Sequence, residues 1–178
     1  RQVLTGAGKC FSAGADIKGR ASQEPDLGDH WVHSRRVREC FYSIMECRKP
    51  IIAAINGAAL GAGLAVAASA DILIASESAS VGLPEINVGL LGGGRHAMRL
   101  FGHSKTRRLM LTGQRLSGAE LYRLGVVEEC VPDDDLMRAA LEIAEELASK
   151  SPVAMSLAKE TLNAIEELSL IHIYEPTR

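Results

Sequence analysis

From Pro50 to Ser69 the chain reads PIIAAINGAALGAGLAVAAS, and no charged side chain interrupts it. A stretch of this kind has to be covered on all sides. Pro50 opens a short apolar run over Ile51 to Ile55, the pattern of a strand buried on both faces. Asn56-Gly57 then marks a turn. Leu60 to Ser69 is small and apolar all round, which predicts an enclosed helix. Such pieces need a layered fold in which backbones approach closely. The composition agrees, with 17 glycines and only 4% aromatic residues.

The neighbouring segments extend this pattern. Val3 to Thr5 reads as the end of a strand, followed by a Gly/Ala/Ser-rich loop from Gly6 to Gly19. Residues 28 to 47 read as a helix, with Val37, Phe41 and Ile44 on one face. Asp71 to Ala75, Ser80 to Gly82 and Val126 to Val131 read as strands, and the chain after Gly94 is otherwise helical. Leu136, Ala140, Ile143, Ala144 and Leu147 share a helix face. Ser151-Pro152 starts a further helix whose apolar face is expected to be Leu157, Thr161, Ile165 and Leu168. Strands alternating with helices predict an α/β fold with a helical C-terminal segment.

Several classes of function fall away. A formal charge of −2 leaves no broad basic surface for nucleic acid. No apolar run reaches the roughly 20 residues of a membrane helix. Cys10, Cys40, Cys47 and Cys130 form no CxxC pair and match no common zinc spacing, so we expect buried, inert thiols in a reducing cytoplasm. His30 and His33 stand three apart on a helix without a third ligand, and read with His96 and His103 as solvated side chains, not as a metal site. Arg35, Arg36 and Arg38 read as a solvated face, with contact to an anionic ligand as the alternative.

Three segments have chemical potential. Cys10 to Ile17 (CFSAGADI) is a small-residue loop after a strand, able to bring backbone N–H groups up to a ligand; an ordinary turn has the same composition. Asn56 to Gly63 (NGAALGAG) is read as strand, turn and helix start, where unpaired N–H groups can hold developing negative charge; close packing alone would also call for these residues. Val81 to Gly89 (VGLPEINVG) sets Glu85 among apolar neighbours, as suits a general acid/base, although a turn-capping carboxylate would look the same.

Taken together with MLTGQRLSGAELYRLGVVEECV, the segments LTGAGKCFSAGADIK, KPIIAAINGAALGAG and ADILIASESASVGLPEINVGLL resemble the crotonase superfamily, the enoyl-CoA hydratases and isomerases. The resemblance runs from about Val3 to Leu168. It implies a spiral of ββα units, C-terminal helices that build homotrimers or dimers of trimers, and an acyl-CoA thioester substrate. Coenzyme A is then part of the substrate, and no metal or redox cofactor is implied. Residue by residue, the resemblance makes the Ala15 and Ala62 N–H groups an oxyanion hole and Glu85 the catalytic glutamate. Ala13, Ile17 and Lys18 match positions lining the adenine end of the CoA site. On this basis residues 1–125 form the acyl-CoA-binding core, and 126–168 the strand and helices used for oligomerisation. Residues 169–178 (SLIHIYEPTR) lose the helical spacing and resemble translated sequencing-adapter sequence, so we expect a non-native tail. The opening strand leads us to expect further strands before it.

Two departures from the family pattern matter. The second glutamate of typical hydratases is Ala65 here, and the glycine usual at one oxyanion position is Ala62. No aspartate stands near Gly92 to Gly94, against a dehalogenase-like use of the site. The expected activity is addition of water to a 2-enoyl-CoA. The alternatives are double-bond migration with Glu85 as the sole acid/base, or acyl-CoA binding without catalysis.

Overall fold

The computed structural model describes residues 2–16 and 26–174. Two sheets, the first parallel and the second mixed, are built by the same turns of chain. Strands β1 (Val3–Thr5), β3 (Ile52–Ile55), β5 (Ile72–Ser76) and β8 (Cys130–Val131) form the first sheet in that order, all parallel. Strands β2 (Cys10–Ser12), β4 (Ala58–Leu60) and β6 (Ser80–Gly82) form the second in parallel, and β7 (Arg115–Ser117) closes it antiparallel to β6. Each of the first three turns thus supplies one strand to each sheet and then a helix, whereas the last strand pair, β7 and β8, is separated by the helix Gly118–Arg123. This is the expected spiral of ββα units.

The helices are α1 (Leu27–Met45), α2 (Ala62–Ala68), α3 (Gly94–Leu100), α4 (His103–Thr112), α5 (Gly118–Arg123), α6 (Leu136–Ala148) and α7 (Pro152–Tyr174). Local chemistry starts several of them. The Asp26 carboxylate accepts the Asp29 N–H at 2.8 Å at the head of α1. Ser117 and Glu120 make a reciprocal capping box on α5. Ser151 Oγ accepts from the Ala154 N–H at the start of α7, as the Ser-Pro pair predicts.

Ile52, Ala54 and Ile74 on the first sheet pack against Leu136, Ala139, Ala140 and Ala144 of α6, all nearly inaccessible. The larger core lies between the sheets and under α2, with Leu64, Leu83, Leu109, Leu116 and Leu121 at its centre. Among the described residues no helix is long and apolar enough to cross a membrane.

Some expectations need correction. Leu60 belongs to β4, not to the buried helix, which starts at Ala62. The strand expected over Val126 to Val131 is laddered only at Cys130–Val131, although Glu128 and Glu129 already exchange backbone bonds with Leu73 and Ala75 of β5. Strands β2, inside the expected Gly6 to Gly19 loop, β4 and β7 were not anticipated. Cys40 is exposed rather than buried, because α1 packs chiefly through its C-terminal end.

The face expected to be buried on α7 points outward: Leu157 is 57% exposed, Ile165 58%, and Thr161 is exposed as well. Leu168 lies where side chains are outside the described set. A polar anchor sets this rotation. Lys159 is 5% exposed, and its Nζ donates to Asp71 Oδ2 at 2.7 Å and to the Ile44 carbonyl at 3.0 Å. Asp71 Oδ2 also accepts the Ile51 N–H at 2.7 Å, and Asn163 donates to the Met45 carbonyl. A buried ammonium left unpaired would be costly, so the helix turns to pair it. Helix α7 continues to Tyr174, through the first residues of the segment expected to lie outside the native fold.

Candidate active site

The three chemically promising segments all leave the carboxyl ends of neighbouring strands in the second sheet. Gly14 and Ala15 follow β2, Gly61 and Ala62 follow β4, and Glu85 follows β6. In parallel sheets this edge is where ligands gather, because loops from adjacent strands converge there.

Register and residue size bring the loops together. Cys10 pairs with Ala58 and Ser12 with Ala59, so β2 carries one extra residue at a bulge. The loop after it lies on the end of β4: a Cβ built on Gly14, whose φ is +100°, would stand 2.9 Å from the Leu60 carbonyl oxygen and 3.6 Å from the Ala62 nitrogen. On the other side of the contact, a Cβ on Gly63 would overlap the Ser12 carbonyl oxygen. At the opposite end of these strands, Asn56 clamps the β1–β2 turn. Its Nδ2 donates to the Gly6 and Gly8 carbonyls at 3.1 and 2.9 Å, and its Oδ1 accepts the Gly6 N–H at 3.0 Å.

Ala62 is the first residue of α2, and Ala15 lies in an open loop. Neither N–H has a hydrogen-bond acceptor among the described residues. Glu85 occupies the short 3-10 turn Pro84–Val88, whose fold is secured by the Leu90 N–H donating to the Glu85 carbonyl. The carboxylate lies over Gly61. Its Oε2 is shut away from solvent and has no hydrogen-bond partner among the described residues. An unsatisfied buried carboxylate oxygen is unusual in a folded protein and marks a place for an incoming donor.

Helix α3 forms the next wall. Arg95 Nη1 donates to the Tyr42 hydroxyl, and the His96 ring lies 4.4 Å from that of Phe41, tilted by 52°. His96 is therefore half-buried rather than solvated. Burial first, and then the charges of Arg95 and Arg99, hold its imidazole below its ordinary pKa. Among the described residues no group of three or more His, Cys, Asp or Glu side chains could hold a metal.

Of the residues singled out in the sequence, Ala15, Ala62 and Glu85 are thus delivered to one edge, with Ala13 on the same loop as Ala15. Ile17 and Lys18 lie outside the described residues. Gly61 and Asn56 were overlooked as individual contributors. Their signal was present, since both fall inside the NGAALGAG run that was singled out as a unit.

A family model described as enoyl-CoA hydratase/isomerase matches residues 2–175. The chain belongs to the enoyl-CoA hydratase/isomerase family. It is 40% identical over 171 residues to a probable mitochondrial enoyl-CoA hydratase of Dictyostelium discoideum, covering 94% of this chain and 60% of the relative. A probable enoyl-CoA hydratase of Rhizobium meliloti is 39% identical over 177 residues, covering 94% and 65%. Among solved structures, an enoyl-CoA hydratase of Bacillus anthracis superposes with a TM-score of 0.83 at 39% identity, over 90% of this chain and 63% of that one. A monofunctional enoyl-CoA isomerase of M. smegmatis superposes at 0.73 with 31% identity, covering 91% and 69%. The chain spans about six-tenths of the length of the curated relatives it matches. Among the described residues, the heads of β2, β4 and β6 bring one glutamate, Glu85, to the candidate site. Ala65, 1% exposed on α2, offers no second carboxylate.

Proposed function

We propose that this site hydrates a 2-enoyl-CoA thioester, with Glu85 as the acid/base and the Ala15 and Ala62 N–H groups as an oxyanion hole. The observation that carries the proposal is the Glu85 carboxylate at the edge to which the Ala15 and Ala62 N–H groups are delivered; among the described residues one carboxylate oxygen has no hydrogen-bond partner and neither N–H has an acceptor. Glu85 takes a proton from water as its oxygen bonds to C3. The C2=C3 electrons move toward the thioester carbonyl, whose oxygen gains charge. Glu85 then returns the proton to C2, so the product is substrate plus one water with no redox change. Two fixed donors at the developing oxyanion would each lower the barrier by about 3 kcal/mol. The hydratase names of the relatives support water as the co-reactant.

Coenzyme A enters as part of the substrate, with Ala13, Ile17 and Lys18 proposed at its adenine end, and no metal or redox cofactor takes part. A homotrimer or dimer of trimers built through residues 126–168 is part of the proposal, and the exposed Val153, Leu157, Leu162 and Ile165 of α7 offer apolar surface for contact between copies. A cytoplasmic setting completes the reading.

Ala65 favours a second reading. With one carboxylate to shuttle a proton between C2 and C4, a 3-enoyl-CoA would be isomerised to the 2-enoyl form without water. The test compares the protein with Glu85→Gln on 2-enoyl- and 3-enoyl-CoA, following conjugated-thioester absorbance. We expect loss of absorbance from the 2-enoyl substrate, reduced by about 1000-fold in the variant. Gain of absorbance from the 3-enoyl substrate alone would replace hydration with isomerisation. Acyl-CoA binding with no turnover of either would reduce the protein to a binder.

A further inference from the structure

We propose that Gly61 is the positioning residue that seats the Glu85 carboxylate, a role that rests on reading Glu85 as the acid/base. Gly61 is buried between β4 and α2 with φ +57° and ψ −117°. Its N–H donates to the Gly82 carbonyl at 2.9 Å, at the end of the strand that leads to Glu85. Its carbonyl accepts the Ala65 N–H at 3.1 Å inside α2. One residue therefore ties the strand before the carboxylate to the helix that begins with Ala62.

The Cα hydrogens of Gly61 form the surface on which the carboxylate rests. A Cβ built there would overlap Glu85 Oε1 and stand 2.9 Å from Glu85 Cδ. The neighbouring glycines do not share this contact. At Gly92 the added Cβ would lie 3.9 Å from Glu85 Oε1, an ordinary contact. At Gly93, with φ +70°, it would meet Leu83 Cδ2 at 2.8 Å and not the carboxylate.

Gly61 and Gly93 both adopt backbone conformations that favour glycine, yet only Gly61 controls the carboxylate. The carboxylate is the movable end of a side chain, so a methyl at Gly61 displaces it, in addition to the backbone strain that φ +57° imposes on any side chain there. A shift on the order of 1 Å is enough to lower turnover by about 100-fold.

The experiment compares Gly61→Ala with Gly93→Ala, each alone and combined with Glu85→Ala, by thermal melting, acyl-CoA affinity and turnover. Gly61→Ala is expected to lower kcat by about 100-fold while acyl-CoA affinity changes by less than about 3-fold. Removing the Glu85 side chain should then restore about 3 °C or more of the melting temperature lost in Gly61→Ala, but none of that lost in Gly93→Ala. If Gly61→Ala alone fails to fold, a folded Gly61→Ala/Glu85→Ala protein supports the role and an unfolded one overturns it. Additive melting losses for Gly61→Ala and Glu85→Ala would also overturn it, as would an equal kcat loss in Gly93→Ala. The melting cycle needs no turnover, so it separates failure of this role from failure of the proposed reaction.

Discussion

The two sheets of the spiral come from the same turns of chain, yet they use side-chain volume in opposite ways. In the first sheet Ile52, Ala54 and Ile74 fill a closed space against α6, and packing depends on what the side chains supply. At the carboxyl ends of the second sheet, Gly14, Gly61 and Gly63 let backbone meet backbone or carboxylate, and the site depends on what is left out. The contrast teaches that a scaffold layer is sensitive to lost atoms, while a layer that assembles backbone donors is sensitive to added ones.

Ile74→Ala should have the largest effect on stability. Ile74 is 0% exposed, and truncation is expected to cost about 4 kcal/mol through lost burial and the cavity left behind. Denaturant unfolding measures the loss. The remaining folded protein should bind acyl-CoA as before, and a large change in affinity would break the separation between the sheets.

Gly63→Ala tests the other half by adding one methyl group. The new Cβ must push the Ser12 backbone away, so we expect a stability loss of about 2 kcal/mol together with a clear loss of turnover. If the variant kept full turnover, the close approach of β2 to α2 would not matter to the site.

The smallest expected effect sharpens the comparison at the seam between α1 and α3. Burial beside Phe41, with Arg95 and Arg99 close, lowers the His96 pKa in the folded protein, so the fold favours the neutral ring. Stability from this group is complete above about pH 6.5, the value for an unfolded chain, and is lost as pH falls below it toward the lowered folded value. Melting curves between pH 7 and pH 5 should therefore fall more steeply for the protein than for His96→Phe, which keeps a ring against Phe41 without the titration. Parallel curves would remove His96 as a source of acid sensitivity.

Much of this architecture was legible because it rests on strong local patterns. The apolar run over Ile51 to Ile55, the Asn56-Gly57 turn and the face of α6 all declare themselves by period and composition. Strands β4 and β7 do not. Each has three residues, and Ala58-Ala59-Leu60 suits a helix as well as a strand until β2 and β6 lie beside it. The rotation of α7 was hidden for a different reason. Apolar spacing pointed to Leu157 and Ile165, whereas pairing of Lys159 with Asp71, 88 residues away, decided the matter. For the candidate site, Glu85 and the two small-residue loops were visible as motifs, but Gly61 became individually meaningful only when the Glu85 carboxylate was found resting on it.

By itself the sequence determined that strands alternate with helices, that the Pro50 to Ser69 stretch lies inside, and that Glu85 is set among apolar neighbours. Local propensity and burial are enough for those, since they depend on residue type and near neighbours. The tertiary structure alone decided which strands share a sheet, which face α7 buries and which glycine touches the carboxylate. Those outcomes depend on register and on pairings across many residues, where one extra residue in β2 or one buried ion pair outweighs the preferences of the local chain.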